Sequence, residues 1–424
     1  MNRFLLVIAV LGFNIKVFSQ FVVTGEFRPK FEFRDGYKTL LSEDQRPLFI
    51  TAQRSRLNLN YTDGRIATRL SVQDVRIWGE SPSKTDASSI NVFEAWVEYF
   101  VNNAWSFRLG RQELSFDQNR LLGASNWNDV GASHDLLLIR YNKNFNLQTG
   151  FAYNNDKSKN YESNYPVSFY KTLAFIRAEK DMGKYLNASL IFIADGNQKE
   201  ESNDTIYQRL TYGGNLLFSN DSIRTKVYGT FYYQSGKSPE GIPINAWFLA
   251  GNLDYRISKN TNAIVGVDYF SGDNAFSASG IKHSFNNLYG NTHNYYGYMD
   301  YFGQIDKDTK GGGMMDLYLR LNYKFNKKAT AELTYHYFSF TNDAIDSVSN
   351  PEITEKADRS LGSEIDLMIK YKPVSNVEIS LGYSAMLATR SMGIIKSGSH
   401  EKYQQWAWLM LTFKPEFINT NNKN

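Results

Sequence analysis

From Gln20 to Pro415 the chain runs as short segments of alternating apolar and polar residues, and the connections between them are short, then long, then short again without a break. Eight connections are tight: Thr62–Gly64, Asn102–Ala104, Asn142–Phe145, Asp181–Lys184, Ser219–Ser222, Ser258–Thr261, Asn326–Lys328 and Pro373–Asn376. All carry Asn, Asp, Ser, Gly, Lys or Pro at turn positions, as hairpins require. Nine longer polar stretches lie between them, among them Leu114–Ala132, Asn155–Phe169, Ser271–Gly313, Phe340–Ser360 and Leu387–Tyr403. A compact soluble domain seldom holds long connections at such regular intervals. Together these join eighteen strands, an even number that puts both termini on one side. The pattern predicts an all-β fold, a transmembrane antiparallel barrel with short periplasmic turns and long extracellular loops.

The strands carry a period of two, which sorts side chains onto opposite faces. Phe21, Val23, Phe27, Phe31 and Phe33 alternate with Thr24, Glu26, Arg28, Lys30 and Glu32. Leu317, Leu319, Leu321 and Tyr323 alternate with Asp316, Tyr318, Arg320, Asn322 and Lys324, and Ser363, Ile365, Leu367 and Ile369 alternate with Glu364, Asp366, Met368 and Lys370. A strand lying on a soluble core has no use for so many charges in its second row, so the apolar row is expected to meet lipid and the polar row a wet lumen. Aromatic residues gather where strands enter the tight turns, at Tyr61, Tyr99, Trp105, Tyr141, Tyr185, Phe218, Tyr255, Tyr323, Tyr371 and Phe413. A ring with a polar tip suits the headgroup boundary, so this set reads as a periplasmic girdle.

With 15% aromatic residues, a mean hydropathy of −0.45 and no long apolar span after the leader, a helical membrane protein is excluded. The single apolar run, Phe4 to Ile15 behind Arg3, reads as a signal peptide covering residues 1–19, with Lys16 an atypical member near its end. Residues 20–415 then form one barrel domain and residues 416–424 a polar periplasmic tail. Without cysteine there is no lipoprotein anchor, disulfide, thiolate metal site or cysteine nucleophile. Removing Arg3 and Lys16 leaves forty-five basic against forty-three acidic residues, and no basic block argues for nucleic acid.

The densest polar segment runs from Leu109 to Asp135 and includes Arg111, Arg120 and Trp127. A long loop so rich in Arg, Asp, Gln and Asn can fold into the barrel mouth and pair with sugar hydroxyls, or bond only to the barrel wall. Here the chain resembles the alginate export family of outer-membrane barrels. The stretches that carry the resemblance are Gln53-Arg-Ser-Arg-Leu-Asn-Leu-Asn-Tyr61, Gly110-Arg-Gln-Glu113 with Arg120-Leu-Leu-Gly123, Trp127 and His134-Asp135, and Leu288-Tyr-Gly-Asn-Thr-His-Asn-Tyr-Tyr-Gly-Tyr-Met-Asp-Tyr-Phe302. The resemblance implies an eighteen-stranded barrel, usually monomeric, that passively conducts an anionic uronic-acid polysaccharide through an arginine-rich constriction. The family's alginate exporter also has a long periplasmic lid loop, which the eight tight turns here do not provide.

The inward rows mix signs. Arg28, Lys30, Arg54, Arg56, Arg69, Arg108, Arg256, Arg320 and Lys324 stand with Glu26, Glu32, Glu94, Glu98, Asp254, Asp268, Glu332, Glu364 and Asp366. Such charges can be wall-stabilising ion pairs, worth roughly 0–1 kcal/mol each where water screens them. Alternatively Arg54, Arg56, Arg69, Arg108 and Arg111 form a ladder along one side of the pore, passing carboxylates from one guanidinium to the next. Five histidines are present, and only His336 lies in mid-strand, on the lumen row. With no Gly-x-Ser-x-Gly elbow, His-Glu-x-x-His or phosphate loop, no enzyme is expected. Asp306-Lys-Asp308 followed by Gly311-Gly-Gly313 lacks EF-hand spacing and reads as a flexible loop. The expected function is an outer-membrane channel for an acidic polysaccharide or oligosaccharide, with no cofactor and no metal. A general or nutrient-uptake porin and a closed structural or adhesive barrel remain the alternatives. Expected partners are membrane lipid and lipopolysaccharide, the barrel-assembly machinery and a saccharide solute.

Overall fold

The computed structural model describes residues 19–81, 89–165, 167, 169–199, 204–277, 279–346 and 355–420. The expected signal segment lies outside these residues, Ser19 excepted. Eighteen strands build the fold: β1 (Gln20–Asp35), β2 (Leu48–Asp63), β3 (Ile66–Ile77), β4 (Ile90–Phe100), β5 (Trp105–Gln112), β6 (His134–Asn142), β7 (Asn146–Tyr153), β8 (Thr172–Met182), β9 (Leu186–Gln198), β10 (Ile206–Asn220), β11 (Thr225–Gly236), β12 (Ala246–Arg256), β13 (Thr261–Phe270), β14 (Met314–Lys324), β15 (Ala329–Ser339), β16 (Ser360–Val374), β17 (Val377–Ala388) and β18 (Gln404–Phe413). Each pairs antiparallel with the next, and β1 pairs with both β2 and β18, Phe31 facing Leu409 and Phe33 facing Ala407. The sheet is therefore a closed ring with no free edge.

The two rows separate as the alternation requires. On β14, Leu317, Leu319, Leu321 and Tyr323 are exposed on the outside, while Asp316 is fully buried within. On β16, Ile365 and Leu367 face out, and Glu364 and Asp366 are buried. Arg28, Lys30 and Glu32 of β1 are likewise buried in the lumen. At the tight-turn end Tyr99, Trp105, Tyr185, Tyr255, Tyr323, Tyr371 and Phe413 stand exposed on the outer surface. Cross-strand contacts such as Trp105 on Tyr141, with centroids 4.9 Å apart, link the girdle laterally.

The lumen differs from the expected wet bore. The β5–β6 and β13–β14 connections fold inside the barrel, and Leu121, Leu122, Phe285, Tyr296, Met299, Tyr301 and Phe302 pack against wall residues such as Leu136, Tyr232, Phe248, Phe270, Phe338 and Trp406. Burying these rings offsets the entropy of ordering long loops. The expected flexible segment near Asp306 is instead ordered. It forms the helical turn Ile305–Asp308, and Asp306 is buried, 3.1 Å from Lys282 Nζ and bonded by Asn286.

The expected polar tail also needs correction, because Glu416–Asn419 is a short strand that extends β18 past Pro415 along β1, with Ile418 opposite Val23. Pro415 lacks an N–H, but its carbonyl still accepts from Gly25 at 2.8 Å. A Cβ on Gly25 would fall 2.8 Å from the Phe417 ring.

At the extracellular end the first and last loops meet above the junction of β1 and β18. Leu41 N–H donates to Gln404 Oε1 at 2.8 Å, Thr39 Oγ1 to the Lys396 carbonyl at 2.9 Å and Ser399 Oγ to Glu43 at 3.1 Å. Gly398, at φ +90°, is needed there, since a Cβ would fall 2.2 Å from the Leu40 carbonyl oxygen.

Leu319 lies at the middle of β14 on the lipid face, so Leu319→Arg should destabilise the assembled barrel by roughly 2–4 kcal/mol. Urea unfolding of the variant refolded in vesicles measures this, and wild-type stability would mean that the two faces of β14 are assigned in reverse.

Candidate functional site

The β5–β6 loop crosses the lumen and is tied at three places. Asp117 accepts from Arg177 of β8 at 2.8 Å and from Ser189 of β9 at 2.7 Å. Arg120 pairs with Asp268 of β13, donates to the Tyr296 hydroxyl at 2.9 Å and lies 3.7 Å from the Tyr295 ring centroid. The returning limb, Asn126 to Asp129, is held by the opposite wall. Arg28 donates to the Asn126 carbonyl at 2.6 Å and to Asp129 Oδ1 at 2.7 Å, with longer contacts of 3.4 Å to the carbonyls of Trp127 and Asn128. Lys30 Nζ is 3.2 Å from Asp129, and Arg54 reaches the Asp129 carbonyl at 3.4 Å while pairing with Glu26. Burial pushes the Asp129 carboxyl up, but Lys30 and Arg28 outweigh it and hold it below the usual range.

This clamp presents Trp127 inside the lumen, against the wall formed by β1 and β18. Its ring stacks on the His293 imidazole with centroids 4.2 Å apart and planes at 8°. Trp408 meets Trp127 edge-on at 4.8 Å, and Lys30 Nζ lies 4.6 Å from its centroid. His293 belongs to the inward-folded β13–β14 loop, and its Nδ1 is 2.7 Å from Asp300, which also accepts from the Tyr37 hydroxyl at 2.6 Å. Burial raises the Asp300 carboxyl, and His293 with Tyr37 more than offsets this, leaving it low. Three extracellular loops thus converge on one stacked pair.

Two cavities flank that pair. The one open toward the tight turns has a volume of about 660 Å³ and is lined by six basic side chains, Arg28, Arg54, Arg320, Lys370, Lys372 and Lys414, against the three acidic Glu26, Glu332 and Glu378. The one toward the extracellular loops measures about 530 Å³ and has five basic side chains, Lys30, Arg34, Lys38, Lys307 and Lys396, against Asp129, Asp300 and Asp308. Trp127 and His293 are the residues that line both.

Of the residues singled out from sequence, Trp127, Arg54, Arg320 and Glu332 border this path; Arg320 stands 3.5 Å from Glu332. Arg56 is buried on Gln73 at 2.6 Å and over the Phe93 ring; Arg69 pairs with Glu94 at 2.6 Å; and Arg108, 2.6 Å from Glu98, shares that carboxylate with Arg140. Arg120 and Asp268 anchor the loop. Glu364 and Asp366 accept the backbone N–H groups of Met299 and Tyr298 at 2.7 and 3.2 Å, pinning the other inward loop. Asp254 and Arg256 lie at the tight-turn rim, where Arg256 is 3.4 Å from Asp221.

Arg111 must be removed from the pore. It is paired in register with Ala95 and Asp135 on the outer face, exposed and 3.5 Å from the Asp135 carboxylate. The alternation that turns Arg108 inward turns Arg111 outward. Sequence reasoning put Arg28, Lys30 and Lys370 on the inward rows without assigning them to the path, and missed Lys372 and Lys414. His293 and Tyr298 lie in the Leu288–Phe302 block that carries the family resemblance, but nothing there marks them as a site, because the stacking partner of His293 is 166 positions away.

A closed barrel with an apolar outer band, charged axial cavities and a loop constriction between them is an outer-membrane channel, integral to that membrane. The alginate export family model matches residues 20–388, and the chain belongs to that family. Among solved structures it is similar to OpdL of Pseudomonas aeruginosa, with a TM-score of 0.63, 12% identity and coverage of 94% of this chain and 99% of that one. It is similar to OccAB2 of Acinetobacter baumannii (0.59, 15%, 94% and 98%) and to P. aeruginosa OpdK, solved with vanillate (0.58, 13%, 94% and 99%). No curated protein sequence matches the chain.

Arg28 holds the constriction limb through four contacts, so Arg28→Ala should weaken its docking by roughly 1.5–3 kcal/mol and raise single-channel conductance. Because Asp129 is depressed by its partners, the clamp is complete above the ordinary carboxylate range near pH 4 and is lost only as pH falls below it. Conductance of the wild type should accordingly stay flat from pH 8 to about 5.

Proposed function

We propose that this channel passively conducts an acidic saccharide, a short uronate-type oligomer or the leading units of a polymer, along its axis. The carrying observation is the excess of fixed positive charge on both sides of the constriction, six basic against three acidic groups on one side and five against three on the other. Low-dielectric walls focus such a field and raise the local concentration of anions. Amide and hydroxyl groups of Asn126, Asn294, Ser375, Asn376 and Ser380 line the same cavity and suit sugar hydroxyls, which donate and accept. Family membership adds weight to a uronate over another anion. The arginines of β2, β3 and β5 are engaged by Glu26, Gln73, Glu94 and Glu98, so the conducting charges in this reading are the lysines. Lysine is a hydrated point charge, and several weak stations pass an anion along where a bidentate clamp would hold it.

A second reading, uptake of a small monomeric carboxylate, draws on OpdK having been solved with vanillate and on the narrowness of the stacked partition. The two readings separate on chain length, since a saccharide channel is blocked better by longer uronate oligomers.

Changing Lys370, Lys372 and Lys414 together to Gln should shift the reversal potential in a salt gradient toward neutrality and weaken block by uronate oligomers, with the barrel still folded. Anion preference unchanged in the triple variant would overturn the charge-based reading.

A further inference from the structure

We propose that the Trp127–His293 stack is the closed gate of the channel, and that it opens by ring exchange: His293 withdraws and a pyranose ring of the solute takes its place against Trp127. The inference rests on the saccharide reading above and adds to it a specificity-determining residue and a moving one.

Two cavities of about 660 and 530 Å³ approach each other along the axis and have these two side chains in common, so the stack is the wall between them. A solute that passes must part the rings. Which of the two moves follows from what holds each. The Trp127 limb is fixed to the barrel by Arg28 through three backbone carbonyls and the Asp129 carboxylate, by Lys30 through Asp129 and by Arg54 through the Asp129 carbonyl. Its ring is boxed in by Trp406 and Trp408 at 5.6 and 4.8 Å. The His293 limb is held as well, by the Asn291 N–H on the Asn119 carbonyl at 2.8 Å, the Asn291 side-chain amide on the Ala124 carbonyl at 2.9 Å and Arg320 donating to the Asn294 carbonyl at 3.3 Å. The smaller His293 ring, however, has one polar tether of its own, Asp300, and turns about its side-chain bonds once that is released. Its other face already lies 5.0 Å from Tyr298 at 23°, a second aromatic surface beside it. Trp127 is therefore the fixed face and His293 the mobile one.

The geometry also says what replaces the imidazole. His293 lies parallel to Trp127 at 8°, occupying a slot one ring thick on the face of an indole. A sugar ring fills such a slot with its C–H face, since the negative face of an indole attracts the weakly positive hydrogens of a saturated ring. Lys30 lies over the same indole, 4.6 Å from its centroid, and is the cation nearest a carboxylate carried on that ring. Opening by exchange keeps one ring on Trp127 throughout, so the apolar face is never left to water.

The test is single-channel recording of the whole refolded protein in planar bilayers, with wild type, Trp127→Ala, Trp127→Tyr and His293→Ala, titrated with oligouronate and with neutral oligosaccharide of equal length. His293→Ala should raise conductance and keep, or strengthen, block by both sugars. Trp127→Ala should raise conductance and weaken block about 2- to 10-fold, the worth of one stacking contact, while Trp127→Tyr restores it. Reversal potentials should stay at the wild-type value in all three, because the vestibule charges are intact. Wild-type conductance in both alanine variants would overturn the gate, and block undiminished in Trp127→Ala would overturn the subsite. A wild type without anion preference or block by uronate would overturn the saccharide reading instead, with the conductances still deciding the gate.

Discussion

A backbone N–H or C=O left unpaired in hydrocarbon costs several kcal/mol, and this constraint orders everything else in the molecule. A sheet meets it only by closing, and here β1 serves both β2 and β18. Closure fixes the two faces of every strand, so one row must satisfy lipid while the other encloses a space eighteen strands round. That space is too wide for wall side chains alone to fill. The loops fill it, and each loop that enters brings polar backbone that needs partners in turn. The wall supplies them as charges: Arg28 for the carbonyls of Asn126 to Asn128, Glu364 and Asp366 for the amides of Met299 and Tyr298. The mixed signs of the lumen are thus largely the means by which inward loops are held.

This changes the weight given to the arginines. An inward guanidinium is conspicuous in a sequence, but Arg56, Arg69 and Arg108 each sit within 2.6 Å of a wall partner. Their worth is structural order in the wall, and the basic groups that do border the open cavities are other ones, the lysines together with Arg28, Arg34, Arg54 and Arg320.

How much of this could be read from the chain depends on the range of the interaction. Turns and row alternation are local, and Thr62–Gly64, Asn326–Lys328 and Pro373–Asn376 fall where hairpins join β2 to β3, β14 to β15 and β16 to β17. Family likeness was legible in the blocks around Arg120 and His293. Arg111 stands three positions from Arg108, an odd spacing that puts the two on opposite faces of β5, so its charge alone does not place it in the pore. The short strand after Pro415 was hidden because its pairing depends on the absent side chain of Gly25, nearly four hundred residues earlier. The constriction was illegible for the same reason: Trp127 and His293 become a site only when two loops, from opposite parts of the chain, descend into one lumen.

The bridging of the first and last extracellular loops bears on how the ring stays closed. At the seam the chain's two ends pair without a covalent turn, and a seam that parted would leave two open sheet edges in hydrocarbon. Here Gln404 receives the Leu41 amide, Lys396 accepts from Thr39, and Gly398 lets the Leu40 backbone lie directly against it. At the other end the strand Glu416–Asn419 prolongs the pairing on β1. Stapled at both rims, the wall unzips only by breaking a set of contacts together, so the ring keeps its closure although its two end strands share no covalent turn.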